Sequence, residues 1–245
     1  MSAINAYFDN LSALLARTAQ TQAAGLEEAS QQIAKCLKGG GMVYTFGTGH
    51  GHLLALEIFY RAGGMVRLCP ILDEKLMLHI SAAGSTQEER DEKWVDVLLE
   101  KYPIKAGDVL IDMSNSGRNA VPVLLAMEAR KRGAYVIALT SLQHTQAVTS
   151  RNRLNLRLFE AADLVLDNGG VLGDASWQAA DGAMVGPTST AIGAAMLQSI
   201  VCRVKELSLE ENFEADYFKS SNVDGGDEWN NQLIEKYKDQ IPGLL

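Results

Sequence analysis

The sequence predicts a doubly wound α/β sheet, and two observations carry that expectation. Short β-branched apolar runs recur along the chain, and most end in Gly, Ser, Thr or Asp. They show little polar alternation, as strands buried on both faces do. Stretches of helical periodicity separate them, and strand–helix alternation is the mark of a parallel sheet covered by helices.

In chain order, residues 2–38 read as helix. Leu11, Leu14, Leu15, Ala24, Leu26, Ile33 and Leu37 recur at three- and four-residue spacings. A break is expected near Gly25, and Gly39-Gly40-Gly41 stops the pattern. Strands are expected over 42–46, 65–68, 109–113, 135–139 and 164–166. Helices are expected over 52–62, 88–101, 119–132 and 144–150. Beyond 185 the chain turns mostly helical. Pro187 reads as a first helical turn after Gly186. Residues 191–207 read as a buried helix or a subunit contact, and 227–238 as a last helix. One domain over 1–245 is expected, with an N-terminal helical extension (1–40), a parallel α/β core (41–185) and C-terminal helices (186–245).

The 245 residues are 47% apolar, enough to bury roughly 70% of the unfolded surface. Lys plus Arg is 22 and Asp plus Glu is 30, so the net charge is −8. That balance disfavours nucleic acid and anionic membranes as partners but leaves room for one small anion. Cys36, Cys69 and Cys202 are scattered, which fits a reducing cytoplasm. No secretory signal is legible, and no apolar run approaches the ~20 residues of a membrane span.

Chemistry is expected beyond the carboxyl ends of the strands. Ser114-Asn115-Ser116-Gly117-Arg118-Asn119 lies between a strand and a helix. Its hydroxyls, amides and backbone N–H groups would converge on a helix N-terminus, which suits a tetrahedral anion. A turn with a helix cap is the plainer alternative. Gly47-Thr48-Gly49-His50-Gly51-His52 allows a tight turn and close approach to a ligand. His50 and His52 flank Gly51 and could form a metal pair; no Cys or second His cluster completes a site, though carboxylates could. Thr140-Ser141, followed by His144, reads as simple capping. His79 reads either as a packed histidine or as a proton-transfer group. Glu57 lies in an apolar helix, either paired with Arg61 or raised in pKa as a base. Residues 88–93 read as a solvated helix face. Thr188, Ser189 and Thr190 bring hydroxyls to a helix start, as caps or as part of the anion site.

At these residues the chain resembles the SIS (sugar isomerase) domain family. The resemblance rests on 47–49, on 114–119 and on Thr140-Ser141. Residues 46–50, 59–64, 76–79, 114–122, 137–142 and 186–190 are similar to the UPF0309 group of that family. The resemblance implies a three-layer αβα sandwich with a five-stranded parallel sheet. It implies a homodimer or homotetramer and a phosphosugar site at the strand ends, often completed by a neighbouring subunit. Ser114, Ser116 and Asn119 would hold the phosphate, with Thr48 and Thr140 nearby. Gly47, Gly49, His52, Asn115, Arg118 and Ser189 complete the expected substrate-binding set. The chain departs from the phosphoheptose isomerases. His50 and Gly51 replace a small residue and a Ser, and that enzyme's helical His and Glu fall near Glu57 and Arg61. Its catalytic roles therefore do not carry over.

The expected function is an aldose–ketose isomerase acting on a sugar phosphate or a similar anionic, for example sulfonated, sugar. Glu57 is the expected base, with His79 or His50 as acid or ring-opening group, and no metal or cofactor is required. The alternatives are a non-catalytic sugar-phosphate sensor or assembly protein, and a lyase or etherase of the same fold.

Overall fold

A computed structural model of the chain describes residues 2–245. Helices α1 (Ala3–Thr21) and α2 (Ala23–Lys38) lead into β1 (Val43–Gly47) and α3 (Gly51–Glu57). Strand β2 (Leu68–Ile71) is followed by a 3-10 turn at Glu74–Leu76, then α4 (Ala82–Glu88) and α5 (Trp94–Lys101). Next come β3 (Val109–Met113), α6 (Ala120–Lys131), β4 (Tyr135–Thr140), α7 (Leu142–Gln146), α8 (Leu158–Ala161) and β5 (Leu164–Asp167). An antiparallel hairpin, β6 (Ala175–Gln178) and β7 (Met184–Pro187), precedes α9 (Ser189–Glu210) and α10 (Gly226–Tyr237).

The main sheet has five parallel strands in the order β2-β1-β3-β4-β5. Alternate residues of each strand enter different cores, because successive side chains point to opposite faces. Tyr44, Phe46, Leu110, Val136 and Ala138 pack with α5, α6, α8 and α10. Val43, Val109, Ile111, Met113, Ile137 and Leu139 pack with α2, α3 and α9. The result is the expected three-layer αβα sandwich. Residues Ala29, Ile33 and Leu37 of α2 share a core with Met196, Ile200 and Val204 of α9. The N-terminal helices are thus part of a layer and not merely an extension.

Several boundaries differ from expectation. The first helix breaks at Gln22, the shared cap of α1 and α2, and not at Gly25. Gly25 instead lets α2 approach β5: a Cβ there would lie 3.1 Å from Leu166. The second strand begins at Leu68, because Met65 and Val66 pair with Tyr217 and Asp216 of the C-terminal segment. Pro70 sits in this strand at the sheet edge, where its missing N–H costs no ladder bond. The helix expected over 52–62 stops at Glu57, and Tyr60 follows with φ +41°. The stretch 88–101 is two helices with a turn at Glu89–Lys93. Pro187 ends β7 and α9 starts at Ser189, so the expected boundary at 185/186 cuts through the hairpin.

Candidate functional site

The strand order reverses between β1 and β3, and that switch point is where parallel sheets hold ligands. A cavity of about 700 Å³ opens there, between the loops after β1 and β3 and the β6–β7 hairpin. Gly51 lines it, and Gly47, an expected binding residue, lies behind Gly51 and outside the lining. A Cβ on Gly47 would collide with the backbone of Gly51, and one on Gly51 would lie 2.5 Å from the oxygen of Met113. Only glycine lets the β1–α3 turn close against β3. A second cavity of about 640 Å³ lies beside Gly39–Gly41 and Asp108, at the opposite end of the strands. Asp108 is already engaged there, accepting from the N–H groups of Met42 and Lys105 at 2.9 Å each.

The expected anion loop does line the first cavity through Ser114, Asn115, Ser116 and Asn119. Ser114 Oγ accepts from Gly117 N at 3.2 Å, which tightens the loop. Asn119 occupies the N-cap position of α6, yet its side chain makes no capping bond. Its Nδ2 donates to Glu89 Oε1 at 2.6 Å, and its buried Oδ1 has no partner. Thr48 is buried and donates from Oγ1 to Glu89 Oε2 at 2.6 Å. Thr48, Gly49 and His50 line the cavity.

Other expected residues lie elsewhere or are already engaged. The Arg118 guanidinium turns away and donates to the carbonyl and hydroxyl of Thr149, at 2.9 and 3.2 Å. Thr140 is fully buried and its hydroxyl donates to the Asn115 carbonyl at 3.2 Å, so it braces the loop from behind. His52 is buried, with Nδ1 bonded to the Gly49 carbonyl and its ring 6.5 Å from that of His79. Burial holds His52 below the ordinary histidine range. His79 is exposed and neither of these rings lines the cavity. Glu57 also lies outside the lining. Its carboxylate accepts from Arg61 and from Gln198 Nε2, the latter at 3.2 Å. Ser189 lines the cavity, but its hydroxyl and N–H are turned to Asp174, at 2.5 and 3.0 Å.

Several lining residues escape a reading of the sequence, Glu89 and His144 among them. Glu89 is expected on a solvated helix face. The chain leaves α4 just before it and turns it inward, half-buried, onto Thr48 and Asn119. Burial raises its carboxyl above the ordinary 4.5, although the Thr48 bond and the charges of Arg90 and Arg151 act to lower it. The one signal in the sequence is the change from Ser-Thr-Gln to a charged run, which a helix can as well absorb. His144 follows Ser141, whose hydroxyl does cap α7 by accepting from His144 N at 3.1 Å. The ring lines the cavity with a buried, unpartnered Nδ1. Burial lowers its pKa from 6.5, the Asp174 carboxylate raises it and Arg118 lowers it further.

Among the described lining residues none is Lys or Arg. An anion here would be held by hydroxyls, amides, backbone N–H groups and the partial positive end of α6. Among the described residues no group of three or more His, Cys, Asp or Glu gathers as a metal cage. No described helix is long and apolar enough to cross a membrane.

This sheet order, with a donor-rich loop at its switch point, defines a class, and the comparisons name it: the chain belongs to the SIS domain family, whose sequence profile matches residues 6–141. Within that family it falls in the UPF0309 group. It is 41% identical over 242 residues to a UPF0309 protein of Listeria innocua, covering 98% of each chain. Among solved structures, the phosphoheptose isomerase of Neisseria gonorrhoeae superposes with a TM-score of 0.54 at 17% identity, covering 83% of this chain and 97% of that one. The NanR protein of Vibrio vulnificus, complexed with ManNAc-6P, also gives 0.54, at 14% identity, covering 99% and 71%. At these identities the structural likeness speaks for the fold.

Proposed function

We propose that the protein binds a small sugar phosphate, or a sugar bearing a similar anion such as a sulfonate, and interconverts its aldose and ketose forms by proton transfer. One observation carries this reading: Glu89, a half-buried carboxyl with a raised pKa, lies in the same cavity as the donor loop at α6. The anion on that loop would supply binding energy away from the reacting carbons and fix their position. Glu89 would take the proton from the carbon next to the carbonyl. The electron pair would pass through an enediolate, and the proton would return to the neighbouring carbon, with no net gain or loss of atoms. His144 and His50 line the same cavity and would move the hydroxyl proton. In this reading Glu89 replaces Glu57, which serves as the partner of Arg61 and Gln198.

The sensor alternative uses the same cavity, and the likeness to NanR supports it. Exchange chemistry separates the two. Fructose 6-phosphate, arabinose 5-phosphate and a sulfonated hexose would be incubated with the protein in deuterated water and analysed by mass spectrometry. An isomerase incorporates deuterium at carbon. Glu89→Gln is expected to lower incorporation by about 10²-fold or more, while calorimetric binding of the sugar survives. Undiminished exchange in that variant would sink the base assignment, and binding without any exchange would favour the sensor. The proposal includes a homodimer or homotetramer, supported by apolar Ile4 and Phe8 exposed on α1 and Leu53 and Leu56 exposed on α3. It also includes a reducing cytoplasmic setting, supported by free Cys36, Cys69 and Cys202.

A further inference from the structure

A pair of carboxamides, Asn115 in the loop and Asn168 beside it, has no part in the proton transfer. Asn168, on the turn after β5, is only 1% exposed. Its Oδ1 accepts from the backbone N–H of Gly170 at 2.9 Å. A backbone N–H can only donate, so this bond identifies which end of the Asn168 amide is oxygen. The nitrogen end must then face Asn115, and it donates to Asn115 Oδ1 at 2.9 Å. The same logic passes one residue on. An amide with its oxygen drawn toward Asn168 directs its NH₂ group the other way, and Asn115 lines the cavity. The Asn115 main chain is held as well, its carbonyl accepting from Ser141 N and Thr140 Oγ1 at 3.2 Å each.

We propose that Asn168 is a positioning residue that sets the polarity of Asn115, so that the loop presents an N–H donor, and not a carbonyl acceptor, to the ligand. This rests on the anion-site reading and deepens it. A phosphoryl or sulfonyl group accepts hydrogen bonds at every oxygen it offers. A neutral sugar hydroxyl is served by either end of an amide. Fixing the donor end therefore selects for the anion. It does so without a buried cation, in a cavity that also contains the carboxyls of Glu89 and Asp174.

The test is calorimetric titration of wild type, Asn115→Ala, Asn168→Asp and the double variant with inorganic phosphate and with fructose 6-phosphate. The carboxylate introduced by Asn168→Asp keeps the acceptor for Gly170 but cannot donate to Asn115, whose amide should turn over. Each single change is expected to weaken both probes by about tenfold or more. The double variant should bind no more weakly than Asn115→Ala, because Asn168 acts only through Asn115. Wild-type affinity in Asn168→Asp overturns the proposal. So does a further tenfold loss in the double variant, which would mean that the added charge acts directly. A second measurement needs no variant: phosphate should shift the side-chain amide resonances of Asn115 more than those of Asn168 in wild type, and the reverse order overturns the relay. If wild type binds neither probe, the anion-site reading falls and the relay with it. If wild type binds and the variants behave additively, the relay alone falls.

Discussion

Glu89 and Asp112 are both carboxyls drawn out of water, but only one has partners. Glu89 accepts from Thr48 and Asn119. Asp112 stands in the middle of the sheet on β3, fully buried, with neither side-chain oxygen bonded. Burial pushes its pKa well above the ordinary 3.8. A buried group that cannot find a partner stays neutral, since a bare charge costs far more. The sign for stability follows from linkage. Below pH 3.8 the carboxyl is protonated in both states and its contribution is complete. As pH rises from there toward the elevated folded pKa, only the unfolded chain releases the proton, and stability falls. Asp112→Asn is expected to remove that fall, giving a flatter curve of denaturation midpoint against pH. A curve of unchanged slope would mean that Asp112 is ionised in the fold. His144 has the opposite sense: its lowered pKa gives stability above pH 6.5 that is lost as pH falls through the folded value.

The elements explain why the site is only partly legible in the sequence. Buried parallel strands announce themselves by composition, so the expected β1, β3, β4 and β5 agree with the structure within a residue or two. The loops after β1 and β3 follow from that, because a strand end fixes where a loop begins. The turn at Glu89–Lys93 is not legible, since a charged run looks alike on a helix face and in a turn. The β6–β7 hairpin escapes notice for a different reason. Its strands are short and half-exposed, and they gain their place from α1. Tyr7 OH donates to the Pro187 carbonyl at 2.8 Å, and Asn10 Nδ2 to Ser176 Oγ at 3.0 Å. Gly186 closes this contact at φ +71°, with Tyr7 Cδ2 2.9 Å from where a Cβ would be. Gly186→Ala combines that clash with backbone strain, at a cost of about 1–3 kcal/mol. It should appear as faster proteolysis within 175–187 and faster hydrogen exchange in α1. Protection equal to wild type would show that α1 does not hold the hairpin.

At the scale of the molecule the charge makes its own prediction. The chain carries −8, and the cavity lining adds no Lys or Arg against it. An anionic ligand therefore approaches against the overall field. Salt shortens the reach of that repulsion, from a Debye length of about 30 Å at 0.01 M to about 8 Å at 0.15 M. The association rate of fructose 6-phosphate is expected to rise over this range in stopped-flow measurements. A falling rate would point to local positive steering that the lining does not contain. In the proposed reading the local donors supply the affinity, and the surface charge opposes both the arrival and the binding of the anion.

The amino-acid sequence alone determined the layered α/β plan, the family resemblance and the Ser114–Asn119 loop, because those depend on residues close together in the chain. Periodicity and strand-end chemistry are local properties. Which carboxyl faces the cavity was decided by the tertiary structure. Glu57 lies in an apolar helix and Glu89 in a charged run, so the sequence favours Glu57, and only packing turns Glu57 to Arg61 and Glu89 to Thr48 and Asn119. The direction of Arg118 and the pairing of Asn115 with Asn168 were decided the same way, across 31 and 53 residues of chain. A hydrogen bond between distant segments leaves no spacing in the sequence to be read, so it exists only once the sheet has brought the loops together.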